Sequence, residues 1–556
     1  MGIRDALWAI STRVTPQSER ARADQVANSA GGFVFAVDDL TRLRRFLTLG
    51  VEGGTYYVTE SALTRDNADV VMRLAQTNPR LVVDEVVAIS TAGRAPKQNP
   101  ALFALAAVAG LADDEGRAHA LSRLNEVVRT GTHLALFVGY AQQFRGWGRA
   151  LRRAVGGWYL DKTPEALAYQ VLKYRSREGW THRDLLRQAH PEPAGEAQAK
   201  LFDYVAHRAR AADAGQAYDL AGLPALVAAF EEAKTAPTPR LVELIGQHPL
   251  SWEMLPQAAL DSPDVWGALL DAGLPITALV RQLPRLTRLG VLTGARRRAV
   301  VERLADPAVL AKGRVHPIAM LIALRTYASG HGARGAGTWE PLAPVVDALD
   351  AGFYAAFQAV EPTGKRTLLA LDVSGSMTSP IGGLPLSARE ASAALALVTA
   401  RTEPDYEILG FTATGADTLR HPRGFFAALN ANAISRLGIS PRQRLDDVLR
   451  AIGNLSFSGT DCALPMLWAS ANRVPIDTFV VYTDNETWAG DVHPYQALRA
   501  YREAMGIPAK LVVVGMTATD FSIADPADAG MLDVAGFDAA VPAVIADFSA
   551  SEVARA

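Results

Sequence analysis

The sequence predicts a multidomain chain, an N-terminal α-solenoid followed by a C-terminal doubly wound α/β domain. Up to about residue 362, apolar residues recur at helical spacing in segments separated by short breaks that hold Gly, Pro or Asn. After Thr363 the pattern changes to short, continuously apolar runs alternating with helical segments, as expected for parallel strands covered on both faces. A length of 556 residues also exceeds what one hydrophobic core organises.

Composition excludes several classes. With 49% hydrophobic and 21% charged residues the chain is ordinary globular protein, not a disordered one. The single cysteine, Cys462, rules out an internal disulfide and cysteine-based zinc clusters, fits a reducing cytoplasm and reads as a packing residue. Met1 to Thr15 has no apolar stretch of signal-peptide length, and Ala6 stands where a myristoylation signal requires Ser or Thr. The longest uncharged apolar run, Ala101 to Ala112, is twelve residues, against roughly 20 needed to span a bilayer. A soluble cytoplasmic protein with no membrane partner is expected.

The net charge of −2 is unevenly distributed. Residues 363–556 hold 15 basic against 21 acidic side chains, and residues 1–362 hold 41 against 37. Two islands concentrate the excess: residues 141–190 with 10 basic and 4 acidic, and residues 281–335 with 11 and 2. Such islands are the footprint of a phosphate-bearing partner.

In chain order, residues 1–30 are polar and read as a short arm. A helix starts at Asp38-Asp39 with Leu40, Leu43, Phe46 and Leu47 on one face, and Glu52-Gly53-Gly54 ends it. Helices are expected over 68–76, 80–90, 100–111, 115–129, 132–144, 218–232, 240–246, 264–271, 275–282 and from Pro317 to Gly330, with no strict repeat period. Glu361-Pro362-Thr363-Gly364 is a turn-rich joint, which places the boundary between residues 1–362 and 363–556. Beyond it the order is strand 368–371, helix to Arg401, strand 406–411, helices 442–452 and 463–472, strand 479–482, helix 495–505 and strand 510–515, a parallel sheet.

The first of these strands ends in D-V-S-G-S. Asp372, Ser374 and Ser376 at alternate positions can turn three oxygens toward one point at the C-terminal end of a strand, where open α/β sheets bind ligands. Asp484 follows the second strand, and Thr460 lies in a Gly-containing loop before an apolar helix. An oxygen-only set suits a hard divalent cation, Mg2+ first and Mn2+ next. In this order the elements resemble the metal-ion-dependent adhesion site of von Willebrand factor A domains.

The whole chain resembles the Ro autoantigen family, the TROVE-domain RNA-binding proteins. The resemblance is carried by Leu47 to Tyr57, Lys97 to Ala104, Trp147 to Arg152, Gly179-Trp180 with Asp184 to Arg187, Glu361 to Arg366, Gly459 to Cys462 with Leu464 to Met466, Thr483 to Thr487, and Ile523 to Pro526. It implies that HEAT-like helical repeats close into a ring whose ends the A domain joins. It also implies two RNA sites. An outer basic surface would bind a small noncoding Y RNA, and the family positions for that contact fall on Lys173, Arg177 and His190. A central hole would admit the single-stranded 3′ end of a misfolded RNA, with Lys97, Arg145, Arg149, Arg152, Arg314 and His316 as candidates.

Lys173 and Arg177 are expected one helical turn apart on one face. Trp147, Trp180 and Tyr174 are candidates for base stacking, with core packing the alternative. The resemblance further implies a protein monomeric within its ribonucleoprotein, presenting RNA ends to a 3′-to-5′ exoribonuclease, polynucleotide phosphorylase, in RNA quality control, processing or decay. No catalytic constellation is evident: Gly364 to Thr367 lacks the phosphate-loop glycines, and there is no G-x-S-x-G elbow. A non-enzyme is expected. The other reading of the motifs is a metal-dependent protein-adhesion scaffold.

Overall fold

A computed structural model describes residues 14–50, 60–213, 218–332, 337–357, 361–381, 386–413, 433–437, 439–445, 447–448, 452, 459–537 and 540–551. The N-terminal part is a series of helices whose starts follow the capping residues. Asp38 caps Asp39–Leu49 by accepting from the Thr41 amide, Asp113 caps Asp114–Ser122, Thr130 caps Gly131–Phe144 and Thr163 caps Pro164–Lys173. Between them lie Pro79–Ala92 and Asn99–Leu111, with Arg149–Leu160 later in the series. Most of the expected helices are present with ends shifted by a few residues. The segment read as one helix over 115–129 is interrupted at Arg123, and Leu124–Val127 forms a separate short turn. The helix read over 218–232 starts only at Ala225. The break at 52–54 and several residues of the helix expected over 442–452 lie outside the described residues.

The C-terminal part is a six-stranded sheet. Its spatial order is Met531–Ala535, Lys510–Gly515, Thr478–Thr483, Thr367–Asp372, Tyr406–Phe411, Ile434–Arg436. The first five are parallel, and the last pairs antiparallel with Tyr406–Phe411, so the sheet is mixed where an all-parallel one was expected. The three middle strands of continuous apolar sequence are buried along their whole length. Helices Ala388–Thr402 and Leu464–Ala471 are among those covering the sheet, which is why these strands show no alternation.

Two sets of contacts close the molecule. Before Pro317–Ala328 the chain returns to the end of Pro79–Ala92, where Arg314 Nε donates to the Thr91 carbonyl at 3.1 Å and His316 Nε2 to the Arg94 carbonyl at 3.1 Å. The helical series thereby meets itself. The A domain then joins first and last helices. The fully buried Arg45 guanidinium donates to the Thr519 and Phe521 carbonyls at 2.6 and 2.9 Å and to Asp533 at 2.6 Å. At the other end Arg325 pairs with Glu390 at 2.6 Å, and Phe537 packs on Phe353 and Phe357.

The segment read as a short arm is, from residue 14, fastened to the A domain. Gln25–Ala27 pairs with Phe33–Ala36, which pairs in turn with Phe521–Ser522. Gln17, fully buried, donates from Nε2 to Asp461 Oδ1 at 2.7 Å and to the Val492 carbonyl at 2.8 Å, and it accepts from the Thr487 hydroxyl. Asn28 donates to the Thr487 carbonyl at 2.8 Å, and the Ala30 amide to Glu486 at 2.9 Å.

Candidate nucleic-acid interface and metal centre

The metal candidates are brought together at the C-terminal ends of the strands 367–372 and 478–483. Asp372 is fully buried; its Oδ1 accepts from the Ser374 amide at 2.9 Å and its Oδ2 from the Thr483 hydroxyl at 2.7 Å. The Ser374 and Ser376 hydroxyls lie 3.0 Å apart, and Ser376 hydrogen-bonds Asp484. Thr460 Oγ1 is buried with no hydrogen-bond partner. Behind the loop, Arg389 donates to the Val373 and Ser374 carbonyls at 2.7 and 3.0 Å. Burial, then the Asp372 charge, pushes Asp484 up to about 7; burial, then Asp484, pushes Glu486 up to about 8. Two carboxylates and three hydroxyls with one orphaned oxygen fit a hard cation, which would offset the mutual repulsion of the acids. Among the described residues no cluster of three His, Cys, Asp or Glu offers another centre. Cys462 is buried beneath the site, its Sγ 3.6 Å from the Thr483 hydroxyl, and burial raises its thiol pKa well above normal.

The outer-surface candidates are grouped differently from the expected single helix face. The helix ends at Lys173, and Arg177 stands on Ser176–Arg177, one strand of a two-residue hairpin with Trp180–Thr181. Its turn, Glu178-Gly179, has φ of 50° and 75°, the positive pair that tight hairpins require. Both cations nevertheless converge on Tyr174: Lys173 Nζ is 5.4 Å and the Arg177 guanidinium 5.7 Å from its ring centre. Lys173 is largely covered, also holding Tyr169 Oη at 3.2 Å and Glu253 at 3.7 Å. His190 is exposed and ends His182–Ala189 at φ 46°.

Of the candidates for the hole, Arg145, Arg149 and Arg152 line one cleft of about 630 Å3 bounded by the helices 99–111, 114–122, 131–144 and 149–160. All three are exposed and have no ion-pair partner among the described residues. Arg153 joins them; its spacing with Arg149 and Arg152 on one helix face was the signal that would have found it. Helix 149–160 starts at Gly148 with no side-chain cap, which leaves amide donors facing the same end. Lys97 is half-buried beside Phe103 and Tyr140, away from that cluster's lining. Arg314 is exposed at the closure.

His316 is a correction. It is 4% exposed and both ring nitrogens are used, Nε2–H on the Arg94 carbonyl and Nδ1 accepting from the Ile318 amide at 3.1 Å. It is a helix cap at the closure and presents nothing to RNA. Trp147 and Trp180 pack edge-to-face against each other at 6.0 Å and against the helical core, so packing is what the structure gives them.

Family models match most of this architecture. A TROVE domain matches residues 26–246 and 245–326, and a Ro60 von Willebrand factor A domain matches residues 366–549. The chain belongs to the RO60 family. It is 41% identical to the RNA-binding protein RO60 of Deinococcus radiodurans over 99% of this chain and 100% of that one. It is 37% identical to the RNA-binding protein RO60 of Caenorhabditis elegans, covering 97% and 92%. The crystal structure of the Deinococcus radiodurans RO (RSR) protein superposes with a TM-score of 0.67 over 93% of this chain and 100% of that chain. In this RO60-family chain no described helix is long and apolar enough to cross a membrane.

Proposed function

We propose that this protein binds RNA as its RO60 relatives are named for doing, with a Y RNA on the outer surface of Lys173, Arg177 and His190 and single-stranded 3′ ends of misfolded or structured RNAs at a central opening in the closed helical series. The observation that carries this reading is the cleft of Arg145, Arg149, Arg152 and Arg153, exposed guanidinium groups with no ion-pair partner among the described residues, since the one carboxylate on its wall, Asp114, is held by Arg117; the cleft lies beside an uncapped helix start. Such a group meets phosphates and reads no bases, so selection falls to geometry: an unpaired end enters and a duplex does not. The protein then presents RNA ends to a 3′-to-5′ exoribonuclease such as polynucleotide phosphorylase without cutting them.

The A domain takes a divalent cation, Mg2+ or Mn2+, held by Asp372, Ser374, Ser376, Thr460 and Asp484. The cation neutralises the buried acids and ties the three loops together.

The test is a gel-shift titration with a duplex carrying a single-stranded 3′ tail, its blunt counterpart and a small stem-loop RNA. Tail binding kept by the Lys173→Ala/Arg177→Ala protein, together with loss of the stem-loop, supports two sites. Absence of all binding at moderate salt sinks the reading.

A further inference from the structure

Two of the three loops that carry the candidate cation ligands are held by a part of the chain outside the A domain. Thr460 belongs to the loop 459–463 and Asp484 to the loop 484–493, and residues 17–33 are hydrogen-bonded to both. The third loop, with Asp372, Ser374 and Ser376, is held from within the domain by Arg389 and Thr483.

Gln17 spans the two loops with one side-chain amide. It is fully buried: Nε2 donates to Asp461, beside Thr460, at 2.7 Å and to the Val492 carbonyl at 2.8 Å, while Oε1 accepts from the Thr487 hydroxyl. The packing leaves no slack, since a Cβ added at Gly490 would stand 2.4 Å from both Asp461 Oδ1 and Gln17 Nε2. Thr487 carries the link back to the first loop, because its hydroxyl also accepts from the Cys462 amide at 3.1 Å.

Asn28 holds the second loop at the residues that follow Asp484. Its Nδ2 donates to the Asn485 and Thr487 carbonyls at 3.3 and 2.8 Å, and its Oδ1 is fixed in turn by the Ala30 and Gly32 amides at 3.2 and 2.7 Å. The backbone it holds is irregular: Asn485 has φ of 66°, in the left-handed region that few residues other than Gly occupy. With Asn485 so placed, the Glu486 amide donates back to Asp484 Oδ1 at 3.1 Å and orients that carboxylate.

These contacts therefore fall on the residues adjoining two of the cation's candidate ligands. One of the two, Thr460, has its hydroxyl buried and without a hydrogen-bond partner. Groups one step behind a metal's ligands orient them, and losing such a group typically weakens binding about 10–100-fold. How much placement matters depends on the ion. Mg2+ demands near-octahedral geometry at about 2.0–2.1 Å, whereas Ca2+ accepts about six to eight oxygens at about 2.3–2.6 Å in flexible arrangements.

We propose that the N-terminal segment is part of the cation site, with Gln17 and Asn28 as positioning residues that hold the Thr460 and Asp484 loops at the spacing Mg2+ requires, so that cation binding and docking of the segment are linked. This rests on the cation reading above and adds to it a determinant of ion choice. Phe33–Ala36 runs directly into the helix Asp39–Leu49, so a bound cation also tightens the hold of the A domain on the start of the helical series.

The test titrates the full chain with Mg2+ and with Ca2+ by calorimetry, in the parent, Gln17→Ala and Asn28→Ala. Both variants should bind Mg2+ about tenfold or more weaker. Their Ca2+ affinity should fall less, so that the preference for Mg2+ narrows. Linkage requires the converse. Saturating Mg2+ should slow exchange of the Asn28 and Phe33 amides, which donate to the Gly32 and Gln17 carbonyls, by about the factor that the variants lose, and leave it unchanged in Asp372→Ala. The two variants reach the loops through different contacts, so either decides the matter if the other misfolds. Mg2+ affinity of parent strength in the variants overturns the proposal, as does segment exchange that ignores Mg2+ in a parent that binds it. Equal losses for Mg2+ and Ca2+ also overturn it, since they mean that the loops have collapsed rather than shifted. A parent that takes up neither ion defeats the cation reading itself, and this inference with it.

Discussion

Gln17→Ala should release the N-terminal segment from the A domain. The fully buried side chain makes three hydrogen bonds, to Asp461, to the Val492 carbonyl and with the Thr487 hydroxyl, and its own backbone pairs with Gly490 and Phe33 at 2.8 Å. At about 1 kcal/mol net per bond, with the stranded buried partners adding about 1–3 kcal/mol, the local loss is about 4–6 kcal/mol. That is more than enough to open one segment while the rest stays folded.

The readout is amide hydrogen exchange. The amides of Asn28, Gly32 and Phe33 are closed by this arrangement and should exchange at least about a hundredfold faster, since about 1.4 kcal/mol is a factor of ten. Val512, in the middle of the sheet, should keep its rate. Gly32→Ala is an independent route to the same state, because a Cβ there would stand 1.9 Å from the Thr487 carbonyl oxygen, which belongs to the backbone and cannot rotate away. Exchange at these three amides within a few-fold of the parent in both variants would refute the reasoning.

Acid should destabilise the helical part through its buried histidines. Burial, with Arg129 near His133 and Arg177 near His182, holds His133, His182 and His316 at about 4 against 6.5 for the free side chain. Because the unfolded chain takes up protons that the folded one refuses, this stability is complete above pH 6.5 and falls as the pH drops toward 4, by at most about 3 kcal/mol per histidine. A urea midpoint that falls between pH 7 and pH 5, and falls less in His316→Gln, checks it; equal slopes in the two proteins would count against His316. Mg2+ should raise the melting temperature of the parent and leave Asp372→Ala unmoved, with EDTA reversing the shift and RNA binding surviving it. Changing Arg149, Arg152 and Arg153 together to Gln should weaken single-stranded RNA binding about tenfold or more at low salt, with a shallower salt dependence, measured by titration.

What could be read from the sequence divides by the range of the forces involved. The strand 367–372 was legible because four consecutive apolar residues followed by D-x-S-x-S state both burial and the end of the strand locally, and the helix starts at Asp38 and Pro317 were legible because capping is a matter of three or four residues. The hairpin after Lys173 was local too, but its signal was the Glu-Gly pair at 178–179, which helical periodicity on either side concealed. The fastening of residues 14–36 had no local signal at all. Gln17 and Asn28 are polar in a polar stretch, and only partners more than 450 residues away for Asn28, and more than 440 away for Gln17, turn them into buried clamps.

His316 teaches the same point in reverse. As a histidine near a helix end it read as an RNA contact, yet the Arg94 carbonyl, 222 residues earlier, accepts a hydrogen bond from its Nε2–H and holds it in the interior. The arginines differ because an exposed guanidinium is defined by what fails to pair with it. Arg240 holds the carboxylates of Glu232 and Glu243, whereas Arg149 and Arg152 have no ion-pair partner among the described residues, and it is the fold around each that separates a solvated ion pair from an unpaired charge.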